Sequence, residues 1–379
     1  MTRSAGNEVL HRLVTCRRGL REYAFDDTVV CGFDGFVDTI RHPIEAREGA
    51  DSIRRIDRLE SFGERIRASG ADGNSLSIEW KTAATRTGGH TAHLARAFGT
   101  VGFTPVMIGT YGTPPLKLFI DEFGEHEIRS LGDPGRTDAV EFSNGKLLLI
   151  ERNASLSLDW ERVCETVDPE TFAQYLDDAR LFTAGYLAGI PRLPELLDGM
   201  RTDVLGRCES PPAGVLVDPG DVRSLETKRL DAGIEAMRRL DGHVPLTLSA
   251  NRAEIHELAE RCLQTADGGS FARTVETLQA ELGLTRIVGH GSEESVLSTD
   301  TGSWSAPVVP VDTPAQSTGA GDHFNVGLSL GILGGLADKN ALLLGNVVAS
   351  HFVEMGQPPT PQEIDDRLVS WERHLRQHD

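Results

Sequence analysis

The sequence predicts an α/β protein, a three-layer sandwich around a mostly parallel sheet with a small β lid. Short β-branched runs alternate with helix-period segments, as βα units require. A glycine-rich stretch at 317–321 follows an apolar run and opens a helix. An Asn-Gly pair at 144–145 separates two apolar runs, a hairpin signal because both residues tolerate positive φ.

Residues 1–27 read as an N-terminal extension with helical character, and 28–379 as the α/β domain itself. Strands are expected at 28–32, 106–109, 181–184, 215–218, 246–249, 286–289 and 308–311. Between them, apolar residues recur on one helical face: Leu94, Ala95 and Phe98; Ile255, Leu258, Ala259 and Cys262; Phe324, Gly327, Leu328 and Gly331; Leu344, Val348, Phe352 and Met355. Two segments break the pattern, polar residues from about 41 to 84 and the hairpin from about 136 to 158. Both are expected as lid insertions over the strand ends, where such sheets bind ligands.

The 57 acidic and 38 basic side chains leave a net charge of −19, which argues against a nucleic-acid partner. No stretch approaches the ~20 consecutive apolar residues of a membrane span, and the first twenty residues lack the apolar core of a secretory signal, so a cytoplasmic protein with no membrane partner is expected. The five cysteines are far apart and form no CxxC pair, which fits isolated reduced thiols. Only five of the basic residues are lysine. A salt-rich cytoplasm is one explanation of this acidic, arginine-rich balance, and high-GC codon usage is another.

The most informative stretch is Ser317-Thr318-Gly319-Ala320-Gly321-Asp322-His323-Phe324. Glycines at a helix start let backbone approach a ligand, and the unpaired amides with the positive helix end make an anion site. A carboxylate beside such a site is electrostatically unfavourable, so Asp322 calls for a role. The expected role is that of a base accepting the proton of a substrate hydroxyl as its oxygen attacks a nucleotide's terminal phosphate. Other chemistries lack their motifs: the chain has no GxxxxGK[ST], no complete GxGxxG and no HExxH.

Asp312-Thr313 followed by Thr318-Gly319-Ala320-Gly321-Asp322 and Phe324 resembles the C-terminal signature of the ribokinase-like (PfkB) carbohydrate kinases, with Pro314-Ala315-Gln316-Ser317 inserted between its halves. The resemblance implies a Rossmann-type ribokinase-like fold, Asp322 as base, and Thr318, Gly319, Ala320 and Gly321 as the phosphate-binding anion hole. Gly88-Gly89-His90-Thr91-Ala92-His93 is similar to the family's GGxxxN, with His93 in place of asparagine, and implies a sugar packed on Gly88 and Gly89. Asn251-Arg252-Ala253-Glu254 is similar to its NxxE motif, which implies that Asn251 and Glu254 organise Mg²⁺ through water beside the nucleotide. In Gly32-Phe33-Asp34-Gly35-Phe36-Val37-Asp38 the implied hydroxyl ligand is Asp38, with Asp34 as alternate. Val217-Asp218-Pro219 resembles a central-strand Asp-Pro, and Val288-Gly289-His290-Gly291 the loop before the adenine site, which makes Gly291 a nucleotide contact. The family also implies ATP as donor, Mg²⁺, in some members K⁺, and a homodimer joined through the lid.

The expected activity is therefore phosphoryl transfer from ATP to a hydroxyl of a sugar-like substrate. The alternatives are a nucleoside kinase on the same scaffold, an ADP-dependent sugar kinase, and a non-catalytic sugar- or nucleotide-binding regulator.

Overall fold

The computed structural model describes residues 3–23, 26–47, 49, 52–263, 269–309 and 311–378. Parts of the expected extension (1, 2, 24 and 25), of the first lid insertion (48, 50 and 51) and of the strand expected at 308–311 (position 310) lie outside them.

The chain begins with α1 (Arg3–Glu22), then β1 (Thr28–Phe33), β2 (Phe36–Arg47), β3 (Ile53–Arg55), α2 (Leu59–Ala71) and β4 (Trp80–Gly88). It continues through α3 (His90–Thr100), β5 (Thr104–Gly109), α4 (Lys117–Phe123), β6 (Glu127–Ser130), β7 (Gly135–Phe142) and β8 (Gly145–Glu151). The second half holds α5 (Trp160–Thr166), α6 (Pro169–Asp178), β9 (Ala179–Gly185), α7 (Leu193–Gly199), β10 (Gly214–Asp218), α8 (Thr227–Asp241), β11 (Leu246–Asn251) and α9 (Arg252–Cys262). It closes with α10 (Phe271–Leu282), β12 (Arg286–His290), β13 (Glu294–Thr299), β14 (Gly302–Pro307), α11 (Ala320–Leu333), α12 (Asp338–Met355) and α13 (Pro361–His378).

The main sheet runs β14-β13-β12-β11-β10-β9-β1-β5-β6. It is parallel from β6 to β12, and the β13–β14 hairpin adds two antiparallel strands. The pleat sorts β1 between two cores: Val30 and Phe33 join α6 and α8 on one face, while Val29 and Cys31 join α1, α3, α11 and α12 on the other. The strand order reverses at β1, since the chain proceeds to β5 and β6 on one side and later to β9 and β10 on the other. A crevice opens at the carboxyl ends there, where doubly wound sheets bind ligands.

The lid is a second sheet, β3-β2-β7-β8 with β4 also paired to β2. It starts at Phe36, earlier than the expected boundary near 41, because β2 continues from β1 after only Asp34 and Gly35. Its core is small: Phe62 of α2 packs against Val140 and Phe142, with rings of Phe62 and Phe142 5.3 Å apart. The hairpin turns at Ser143-Asn144, one residue before the expected Asn144-Gly145 pair and without positive φ at either of those two, and Asn144 Oδ1 accepts from the Leu59 amide at 3.0 Å. At the open edge, β8 exposes Leu148, Leu149 and Ile150.

One expectation needs correction. The last strand lies at 302–307 rather than 308–311: β14 pairs in full with β13, Thr299↔Gly302 to Glu294↔Pro307, and the ladder ends with its partner. The N-terminal segment forms the expected helix, and α1 packs into the body: Leu13 and Cys16 are fully buried in the helical layer and Arg12 donates to the Ser305 carbonyl at 3.1 Å.

Candidate active site

The motif residues converge on the crevice because nearly all sit at carboxyl ends of parallel strands: Asp34 after β1, Tyr186 after β9, Asp218 ending β10, Asn251 ending β11 and His290 ending β12. Two clefts meet there. The acceptor cleft lies under the lid and is lined by Asp38, Arg86, Gly89, His93, Thr318 and Asp322 among others. The donor cleft holds Asn251, Glu254, Gly291 and the 319–321 loop. Arg152, Tyr186, Gly319 and Asp322 line both.

Asp38 projects from lid strand β2, between Arg86 of β4 and Thr137 of β7 in register. Burial raises its pKa, against the Thr137 hydroxyl and the Arg86 charge. Gly88 leaves it room, since a Cβ there would lie 2.2 Å from Asp38 Oδ2. Asp34, the alternate, is already engaged. Its Oδ2 accepts from the His90 amide at 2.9 Å, and its Oδ1 from the Thr91 amide at 2.9 Å and hydroxyl at 2.8 Å. It supplies the side-chain cap that Gly89, at φ 89°, cannot give α3. Asp38 is thus the carboxylate left for a ligand.

His93 lines the acceptor cleft with its pKa pushed down to about 3, first by burial. It is neutral, and Arg96 lies 3.1 Å from its Nδ1, so Nδ1 accepts and the proton sits on Nε2. A charged histidine, the reading open from sequence, is excluded by this burial.

Gly319 takes φ 92°, a left-handed turn that brings α11 in behind the loop. The Ala320 amide turns to the Ser317 carbonyl at 3.2 Å, whereas the amides of Thr318, Gly319, Gly321 and Asp322 have no acceptor among the described residues. Three of the four residues expected there, Thr318, Gly319 and Gly321, thus keep a free backbone amide. The inserted segment is pinned rather than loose: the amides of Ala315 and Gln316 donate to the Val353 carbonyl at 2.8 and 3.1 Å. Gln316 Nε2 also donates to the Thr318 carbonyl at 2.9 Å.

Asn251 and Glu254 form a reciprocal capping box at the start of α9, with bonds of 3.0 and 2.8 Å. One carboxylate oxygen of Glu254 is left over. Its pKa is raised to about 8 by burial and then by the charge of Asp218. Asp218 is itself raised to about 6 by burial, although the Gly220 amide donates to it at 2.9 Å. A cation would relieve both carboxyls, so this donor set fits Mg²⁺ held through water. Gly291 borders the donor cleft and also a pocket lined by Val308, Val309 and Phe324.

Among the residues given no role in the sequence reading, three stand out. His90 Nδ1 lies 2.8 Å from Asp322 Oδ1. The Tyr186 hydroxyl reaches the same oxygen at 3.3 Å. Arg152, at the end of the lid hairpin, has no ion-pair partner among the described residues, nor do Arg86 and Lys146 in the acceptor cleft. Only the histidine directly after Gly88-Gly89 was a visible signal, since the other two depend on chain segments far apart.

The fold and the sequence agree with known proteins. The ribokinase of Thermotoga maritima superposes with a TM-score of 0.61 at 16% identity, covering 90% of this chain and 99% of that one. The Arabidopsis thaliana ribokinase complexed with ribose and ATP also gives 0.61 at 16%, covering 90% and 98%. A nucleoside kinase of Burkholderia thailandensis in complex with inosine gives 0.60 at 16%, covering 91% and 96%. These show the ribokinase fold. The ketohexokinase of Haloferax volcanii is 39% identical over 350 residues, 92% of this chain and 93% of that one. The family model for prokaryotic ketohexokinase matches residues 6–370. The chain therefore belongs to the prokaryotic ketohexokinase family and is a carbohydrate kinase, a phosphotransferase acting on a sugar hydroxyl.

Proposed function

We propose that the protein transfers the terminal phosphate of ATP to a hydroxyl of a ketohexose, with Asp322 as base. The observation that carries this reading is the place of Asp322 on the wall shared by the acceptor and donor clefts. A hydroxyl in the first and a phosphate in the second can meet only there. The substrate class follows the ketohexokinase relatives.

Asp38 and His93 would hold sugar hydroxyls, the first as acceptor and the second as donor through Nε2. Asp322 takes the hydroxyl proton as the new O–P bond forms and the bond to the leaving ADP oxygen breaks. The free amides of Gly321 and Asp322 face the anion, while Arg86, Lys146 and Arg152 offset the charge passing from donor to acceptor cleft. Asn251 and Glu254 would hold Mg²⁺ through water, which neutralises the nucleotide phosphates when bound. The lid keeps water, the competing acceptor, out of the cleft.

The test is a coupled assay with Mg²⁺ offering ATP and ADP separately to ketohexoses, aldoses, ribose and nucleosides, with Asp322→Asn beside the natural chain. ATP-dependent transfer to a ketohexose, reduced in the variant by about 10²-fold or more, is expected. A preference for a nucleoside would overturn the substrate class, and an active Asp322→Asn enzyme would overturn the base.

A further inference from the structure

We infer that His90 is the positioning residue of this reaction: its ring fixes Asp322 Oδ1 and turns Oδ2 toward the acceptor hydroxyl. The inference rests on the reading of Asp322 as base.

Both side chains are buried, His90 at 0% and Asp322 at 4% exposure, so neither can reorient through solvent. Among the described residues the 2.8 Å contact from Nδ1 to Oδ1 is the only polar contact of the ring, because Nε2 has no partner there. A buried imidazole with an unmet nitrogen is costly, so its place beside Asp322 calls for an explanation. The ring is held from three sides. The His90 amide is tied to Asp34 at 2.9 Å, the Tyr186 ring lies 4.8 Å away centroid to centroid, and Gly185 has no side chain where a Cβ would come 2.6 Å from His90 Cδ2. The Tyr186 hydroxyl, at 3.3 Å, adds a second contact to the same oxygen. With Oδ1 taken twice, the other oxygen is the one free to act.

The contact also joins two elements with different duties. His90 opens α3, whose amino end borders the sugar site, and Asp322 lies in the first turn of α11 behind the phosphate loop. A sugar that seats against Gly89 therefore meets a base whose direction is set from the same helix.

Burial opposes charge on His90, yet the bond to Asp322 and then the charges of Asp322, Asp218 and Asp34 raise its pKa. Burial likewise opposes charge on Asp322, and His90 holds it below the usual carboxylate range. The other titratable groups facing the pair are Tyr186 and the histidines His93, His290 and His323, the last three held neutral by burial. In the reaction the hydroxyl proton passes to Oδ2 while the Nδ1–H stays on His90, so the pair gains one proton and the product phosphate leaves without it.

The experiment compares His90→Ala, His90→Asn and His90→Gln through kcat, KM for the ketohexose and kcat against pH. Asparagine places an amide N–H near the position of Nδ1, whereas glutamine carries it one carbon further. His90→Ala is expected to lose about 100-fold in kcat, with KM changed less than about threefold. The acid limb of its pH profile moves to higher pH, because Asp322 has lost the donor that held its carboxyl down. His90→Asn restores most of kcat and the acid limb, and His90→Gln does not. Unchanged kcat and acid limb in His90→Ala overturn the inference, as does equal loss in the Asn and Gln variants. Should His90→Ala fail to fold, the Asn and Gln comparison decides alone. An inactive Asp322→Asn beside a normal His90→Ala leaves the base standing and removes only His90; an active Asp322→Asn removes the base reading itself.

Discussion

Gly88 has no side chain because Asp38 occupies the space. A Cβ at that position would lie 2.2 Å from one carboxylate oxygen and 2.8 Å from the other. Unlike its neighbour Gly89, whose φ is 89°, Gly88 is not required for backbone freedom; it is required for packing. Gly88→Ala must therefore displace Asp38, the carboxylate left free for the sugar, at a strain of about 1–3 kcal/mol. The expected outcome is a rise of about tenfold or more in acceptor KM, with ATP KM unaffected, and steady-state kinetics on both substrates check it. An unchanged acceptor KM would show that Asp38 holds no sugar. Asp38 and Asp34 also show what residue type alone leaves open. Both are aspartates after β1, and only the hydrogen bonds from His90 and Thr91 to Asp34 separate the cap from the ligand.

At the scale of elements, α11 and α12 form the tightest helix pair, and glycines make the approach possible. A Cβ on Gly327 would meet the Leu344 carbonyl at 2.7 Å, and one on Gly331 the Ala341 Cα at 2.5 Å. Gly345 answers from α12, where a Cβ would come 2.8 Å from the Phe324 ring. In the sequence Gly327 and Gly331 read as part of the apolar stripe of α11. The structure shows that backbone is what they pack against, so neither neighbour can yield by a rotamer change. Gly331→Val is expected to lower stability by at least about 1–3 kcal/mol, read as a lower urea midpoint with unchanged slope. A midpoint equal to that of the natural chain would mean that the two helices can separate freely. The same pair anchors the inserted 314–317 segment, through the Val353 carbonyl near the end of α12. That tie is invisible in the sequence, where the insertion only lengthens a familiar motif.

For the whole molecule the dominant electrostatic fact is the charge of −19 spread over an arginine-rich surface. Most of its ion pairs are short and partly exposed, as Arg192–Asp159 at 2.8 Å and Arg273–Glu276 at 3.0 Å are, and each contributes little. Repulsion among the excess carboxylates acts over longer distances. Raising salt from about 0.1 to 1 M shortens the screening length from about 10 to 3 Å, which removes the long-range repulsion before it weakens contacts near 3 Å. The urea midpoint is therefore expected to rise over that range of KCl, and a fall would show that the surface pairs outweigh the net charge. Among the described residues no helix is long and apolar enough to cross a membrane.

The sequence by itself determined the alternation of strands and helices, the presence of a hairpin within one residue of Asn144-Gly145, and the Gly319-Ala320-Gly321-Asp322 loop. These are written in consecutive residues, where periodicity, turn chemistry and helix-start glycines act locally. Expectation and structure part over the lid, whose polar strands β3 and β4 carry no apolar alternation and exist because β2 pairs with them. The tertiary structure alone showed that Asp34 is engaged as a helix cap, which amides of the loop remain free, and that burial keeps His93 neutral. It alone brought His90 to Asp322 across 232 residues, and Tyr186 across 136. The physical reason is the same in each case: burial and partners set what a titratable group can do, and both belong to the assembled sheet and its helices rather than to the chain.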